Sequence, residues 1–280
     1  MIGIENIKMS FGNRLVLDQV GLLIQKGRPH ALLGKNGAGK TTLIKIILGL
    51  LRQQNGTVDF PTPHMTIGYL PEERGMYKDI RVDQAIRYFG KLGSRQPKDY
   101  QAYLEKFELL AYEKLHVRSL SKGNQQKLQL AVALVNSPEF LILDEPFSGL
   151  DPLNRELFSD IISDYAKEHY LLISSHQLDK IEVLGQDISF LKAGKIIASG
   201  TLEQIRKTYG FKQLYLPESI EVENVFSNYH SFEKEKGRYR IPINEDKDFW
   251  EMMKQIEGRD ISFVSFQNSS LEDIYIRLMK

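Results

Sequence analysis

Short runs of Val, Ile and Leu alternate along the chain with segments in which apolar residues recur every three or four positions. Residues 4–11 and 30–33 read as strands, and the second runs into a glycine-rich turn followed by a helix over residues 41–50. Residues 140–143 read as a buried strand ahead of a helix over 153–167, and the strand 170–174 precedes another helix over 177–184. In the 153–167 segment Leu153, Leu157, Phe158, Ile161, Ile162 and Tyr165 fall on one helical face, and Pro152 suits the first turn. This alternation predicts an α/β fold, a parallel sheet with helices on both faces. Between two parts of that sheet, helices over 82–92, 100–109 and 125–135 predict a helical insertion of about residues 80–136.

After Gly210 the pattern changes. Aromatic and charged residues become frequent (Tyr215, Phe226, Tyr229, Phe232, Tyr239, Trp250). The expected order is strand 213–216, strand 239–243, helix 247–256, strand 261–266 and helix 271–279, a small α+β accessory domain. The chain is therefore divided into residues 1–212 and 213–280.

Composition narrows the function classes. At 280 residues, 42% hydrophobic and 26% charged, the chain has the make-up of an ordinary globular protein with one large and one small domain. Its 37 basic and 36 acidic residues nearly cancel, without the basic excess of a nucleic-acid binder. Zero cysteines excludes disulfides, thiol catalysis and cysteine-held zinc, and fits a reducing compartment. The most apolar stretches, 42–51 and 128–135, are far shorter than the ~20 residues of a membrane span, and no signal-peptide pattern precedes the first strand. The expectation is a soluble chain that serves a membrane, if at all, from outside it.

The sharpest local signal is Gly34-Lys35-Asn36-Gly37-Ala38-Gly39-Lys40-Thr41-Thr42, after a strand and opening a helix. Glycines let backbone N–H groups wrap a phosphate, and the helix N-terminus adds its positive end. Lys40 would reach the β- and γ-phosphates, and the Thr41 hydroxyl would ligate Mg²⁺. Read alone, the stretch is also a glycine-rich turn with a surface lysine. A second signal, Phe140-Leu141-Ile142-Leu143-Asp144-Glu145-Pro146, ends an apolar strand in two carboxylates. Beside a phosphate loop, Asp144 would hold Mg²⁺ through water and Glu145 would polarise an attacking water. By itself it reads equally as a strand ending in a turn.

Further motifs carry a resemblance. Leu120-Ser121-Lys122-Gly123-Asn124-Gln125-Gln126-Lys127 is similar to the signature sequence of the nucleotide-binding domains of ATP-binding cassette (ABC) transporters. Ser148-Gly149-Leu150-Asp151 resembles that family's D-loop, His176 its switch histidine, and Phe11 the aromatic that stacks on adenine. The match runs from Met1 to about Tyr209. Taken singly, Phe11 also reads as a core aromatic, His176 as a structural histidine and Ser121 as a helix cap. Glu72 stands where the family usually has a glutamine, and Lys122 and Asn124 where glycine and glutamine are commonest. Both departures resemble a bacterial efflux subgroup, including sodium and drug exporters, with a short C-terminal extension.

The resemblance implies a P-loop NTPase fold of the ABC type that binds ATP and Mg²⁺, with Ser121 and Gly123 meeting the γ-phosphate held by a second copy. It also implies a metal role for Thr41, Asp144 and Glu72, and catalytic roles for Glu145 and His176. The implied partners are a second ATPase subunit, in a homodimer, and an integral membrane permease. Residues 72–77 and the helices after them would meet that permease, with the ATPase lying on the cytoplasmic inner face of the cell membrane. No nucleic-acid partner is expected. The alternative is a soluble ABC-type ATPase without a permease, acting on ribosomes or DNA. Against it stand the lone cassette and the absence of sustained heptads between Lys40 and Asp144. A GTPase is disfavoured because no Asn-Lys-x-Asp motif occurs.

Overall fold

Four consecutive buried residues form β3 (His30–Leu33), the strand that delivers the glycine-rich turn. Burial on both faces places it inside a parallel sheet. Its neighbours β6 (Phe140–Asp144) and β7 (Tyr170–Ser175) are buried throughout for the same reason. With β5 (Ile67–Leu70), β8 (Asp187–Lys192) and β9 (Lys195–Thr201), the order is β5-β6-β7-β3-β8-β9; all neighbours run parallel except β9, which returns antiparallel to β8. The computed structural model describes residues 1–73, 75–93, 100–176, 178–184, 187–218, 220, 232–235, 237–243, 246–258 and 264–280.

A second, antiparallel sheet was not expected from the strand–helix alternation. It has the order β2-β1-β4, built from β1 (Ile2–Phe11), β2 (Arg14–Ile24) and β4 (Asn55–Asp59). The helix after the glycine-rich turn, α1 (Lys40–Ile47), shares one apolar core with both sheets, in which Ile4, Leu17, Leu43, Ile44, Ile142 and Leu172 are sealed from water. Each such side chain contributes about 1.5–3 kcal/mol by leaving water. That core holds the turn's two ends in place.

The insertion is helical: α2 (Val82–Leu92), α3 (Tyr100–Lys106) and α4 (Lys122–Leu134). Helix α3 stops before residue 109, and Glu108 just beyond it adopts a left-handed φ of 55°. Helix α4 starts earlier than residue 125 because Ser121 caps it, its Oγ accepting the Asn124 N–H at 3.2 Å. Next come α5 (Pro152–Ala166), capped by Asp151, and α6 (Leu178–Leu184); Gln177 lies outside the described residues. Leu153, placed on the buried face by periodicity, is 75% exposed at the first turn of α5.

The chain forms two compact units, Met1–Leu202 and Glu203–Lys280. The units divide after Leu202, the first residue of α7 (Leu202–Tyr209), rather than at residue 212, so the helix from Glu203 on falls in the second unit. The rest of that unit is β10 (Lys212–Pro217), β11 (Glu233–Glu235), β12 (Arg238–Ile243), α8 (Asp246–Gln255), β13 (Ser265–Asn268) and α9 (Leu271–Met279). Its antiparallel sheet, β11-β12-β10-β13, carries a core of its own around Leu214, Leu216, Ile241 and Met252. The last strand begins at Ser265; residues 261–263, Phe226 and Tyr229 lie outside the described residues. Among the described residues no helix is long and apolar enough to cross a membrane.

Candidate functional site

Strand β3 ends at Leu33, and the chain must turn at once to start α1 at Lys40. A Cβ on Gly34 would lie 2.5 Å from the Leu191 carbonyl oxygen. Gly39 has φ 112°, and a Cβ there would lie 2.8 Å from Leu17 Cδ2. Neither position has room for a side chain, so the loop is close-wound with its N–H groups at the mouth of α1.

Lys35, Asn36, Gly37, Gly39, Lys40, Thr41 and Thr42 line one cavity of about 480 Å³; Ala38 is buried in the loop. Phe11, Arg14, Val16 and Glu72 line the same cavity. Phe11 is 49% exposed and lines the cavity, which excludes the core-aromatic alternative. Arg14 and Val16 escaped the sequence reading. They enter because β2 pairs back on β1, setting Arg14 opposite Phe11.

Behind the loop, charged groups are gathered in a dry environment. The Lys40 ammonium donates to the Gly34 carbonyl at 2.8 Å and lies 3.4 Å from Glu145 Oε1. Both side chains are buried, and Oε1 has no hydrogen bond of its own. The Thr41 hydroxyl donates to Asp144 Oδ2 at 3.0 Å, and Ser174 donates to Asp144 Oδ1. Glu145 is held in a left-handed backbone (φ 51°), which costs a non-glycine residue about 1–2 kcal/mol. Its N–H is pinned by the Ser174 carbonyl at 3.1 Å. His176 closes the other side, with Nδ1 2.8 Å from Glu145 Oε2 and its backbone N–H 3.3 Å from the same oxygen. Tyr69, half-buried, has its hydroxyl pushed up to about 12 by burial and by the Asp144 and Glu72 carboxylates, so it stays a neutral donor.

The Thr41 and Asp144 oxygens are hard donors side by side, the type that suits Mg²⁺. Among the described residues no cluster of three His, Asp or Glu side chains could hold a metal alone; Mg²⁺ usually keeps several waters and takes phosphate oxygens beside one or two protein ligands. Ser121 and Gly123 are not part of this cavity. Ser121 is exposed at the start of α4, and its hydroxyl serves as the cap of its own helix.

Residues 17–148 match the family model described as ABC transporter. The chain is 33% identical to the uncharacterized ABC transporter ATP-binding protein YhaQ of Bacillus subtilis, over 99% of this chain and 97% of that one. It is also 33% identical to the lantibiotic transport ATP-binding protein SrtF of Streptococcus pyogenes, over 84% of this chain and 100% of that one. Among solved structures, an ATP-binding subunit of an ABC transporter superposes with a TM-score of 0.70 at 27% identity, over 75% of this chain and 93% of that one. Loop, carboxylates, sheet order and relatives agree: the chain belongs to the ATP-binding proteins of ABC transporters.

Proposed function

We propose that two copies of this chain close head to tail on two ATP molecules and that the cycle of closure and hydrolysis drives export through a separate membrane permease. The observation that carries this reading is the single network joining Lys40, Thr41, Asp144 and Glu145 behind a phosphate-sized loop, with Ser121 and Gly123 left outside it. The loop N–H groups and Lys40 hold the phosphates, and Phe11 offers its ring to the base. Thr41 and Asp144, with Glu72 at the cavity wall, would hold Mg²⁺, which neutralises phosphate charge when bound. Glu145 accepts a hydrogen bond from the attacking water and polarises it, while His176 holds the carboxylate's other oxygen in place. Closure brings Ser121 and Gly123 of the second copy to the γ-phosphate and excludes water. The exposed Leu153, next to Asp151, supplies apolar surface for that contact.

Tyr77, Tyr88 and Phe89 form an aromatic cluster on the helical insertion, with ring centroids 5.3–6.5 Å apart. Tyr77, Tyr88 and Leu92 are exposed, which suits a permease contact on the cytoplasmic inner face of a membrane. Export as the direction draws on the efflux-type signature and on the lantibiotic transport protein among the relatives. The test is Glu145→Gln. Turnover is expected to fall about 10²–10⁴-fold with ATP binding intact, and the variant should dimerise at saturating ATP. Near-normal hydrolysis, or a monomer by light scattering, refutes the scheme. Co-purification with ribosomes instead of a multispanning membrane protein refutes the permease.

A further inference from the structure

Helix α4 does more than present Ser121. Gln126, one turn into the helix and buried, donates its side-chain amide to the Pro146 carbonyl at 2.7 Å. Pro146 directly follows Glu145, whose left-handed backbone must be held from both sides. Ser174 grips the N–H of Glu145 from β7, and Gln126 grips the carbonyl one residue on from α4. The Gln126 Oε1 atom is buried without a hydrogen bond, so the side chain sits there for its donor and leaves its acceptor unused. The two segments also run close at Gly123, where an added Cβ would fall 3.0 Å from Asn154 Nδ2. Asn154 in turn donates to Asp151 at 2.6 Å. The start of the signature helix is therefore hydrogen-bonded to Pro146 through Gln126 and lies beside the first turn of α5 at Gly123.

We propose that Gln126 is a positioning residue that ties the carboxylate of Glu145 to the helix carrying Ser121, so that nucleotide engaged at the signature of a chain aligns the catalytic carboxylate of that same chain. The inference rests on the head-to-tail reading above. A shift of α4 when a partner's γ-phosphate docks at its N-terminus is passed to the Pro146 carbonyl through one short bond. Pro146 has a fixed φ, which removes one of the two torsions that could absorb a displacement of its carbonyl before it reaches Glu145.

Gln126→Met keeps the length of the side chain and removes the donor. In steady-state hydrolysis kcat is expected to fall about ten- to a hundredfold, with KM for ATP within about twofold and the melting temperature nearly unchanged. Gln126→Leu likewise removes the donor and should be as slow; it supplies the reading if the methionine variant folds poorly. Combined with Ser121→Asp, the loss should be smaller than the product of the two single losses, because both act on one link. Normal turnover in either Gln126 variant, a KM that rises in step with a falling kcat, or losses that multiply in full each overturn the proposal. Glu145→Gln run alongside separates the two levels. Hydrolysis retained there overturns the proposed function, whereas hydrolysis lost there with Gln126→Met normal overturns only the role of Gln126.

Discussion

The phosphate-loop end of the sheet and the start of α4 are built to opposite rules. At the loop, charged groups are buried and already bonded: Lys40 to Gly34 and Glu145, Thr41 to Asp144, Glu145 to His176. At the start of α4, Ser121 is exposed and its hydroxyl is occupied only by its own helix. The first half is assembled within one chain by these bonds, and donors and acceptors fixed in this way lower the reorganisation left for the moment of reaction. On the head-to-tail proposal, the exposed start of α4 meets a phosphate held by the second copy. On that proposal, nucleotide binding is a property of one chain and hydrolysis a property of two.

The largest expected effect falls on the assembled half. Lys40→Ala removes the cation from the phosphates and strands Glu145 without a counter-charge in a buried position. A pair of unit charges at ~4 Å is worth about 4 kcal/mol at an effective dielectric near 20, so ATP affinity should drop about a thousandfold by titration calorimetry. A change below tenfold would mean that the loop N–H groups bind phosphate without the lysine.

Next is the exposed half. Ser121→Asp keeps a good helix cap, so stability should stay within about 1 kcal/mol by urea unfolding. Its carboxylate would face the partner's γ-phosphate, and turnover should fall about a hundredfold. Binding of ATP to the isolated chain should remain within about twofold. Weakened binding in the monomer would break the division between the two halves.

Much of the assembled half was legible because its spacing is local: nine consecutive residues make the loop, and two consecutive carboxylates end β6. What escaped depends on pairing at long range. Ser174 reaches Asp144 only because β6 and β7 lie in register with Asp144 opposite Ser174. Arg14 and Val16 carry no motif and reach the cavity through the β1–β2 pairing. The antiparallel sheet was missed since β4 is five residues long and half polar, below what periodicity can separate from loop. Leu153 misled because helical period fixes a face but not where that face runs out of neighbours. Composition changes near Gly210, whereas contacts divide the chain after Leu202 and group most of α7 with the accessory unit.

The assembled half hangs from β3, whose first residue gives a pH-dependent handle on it. His30 is buried, with Nε2 2.9 Å from Ser189 Oγ. Burial pushes it down to about 4 against the raising influence of Asp187, itself held by Arg28 at 2.8 Å. The unfolded chain binds this proton near pH 6.5 and the folded one only near 4, so stability from this residue is complete above pH 6.5. Between those values acid costs about 1.4 kcal/mol per pH unit. Urea unfolding at pH 6.5 and 5.5 should show about 1 kcal/mol of that loss, since the unfolded imidazole is already half protonated at the upper value, and His30→Gln should reduce it. An unchanged pH slope in the variant would place the acid sensitivity elsewhere.

Glu72 sharpens the comparison from the cavity wall, where it is exposed and so belongs to neither rule. A carboxylate facing ATP repels it when no divalent cation is present, and helps to hold the cation when one is. Two unit charges ~7 Å apart in water repel by about 0.6 kcal/mol, so Glu72→Gln should bind metal-free ATP about threefold more tightly. With Mg²⁺ the gain should vanish or reverse, because the neutral amide gives up its charge interaction with the ion. Titrations in chelator and in Mg²⁺ read both signs directly. The same gain under both conditions would show that Glu72 acts on the nucleotide alone and is no part of the metal's surroundings.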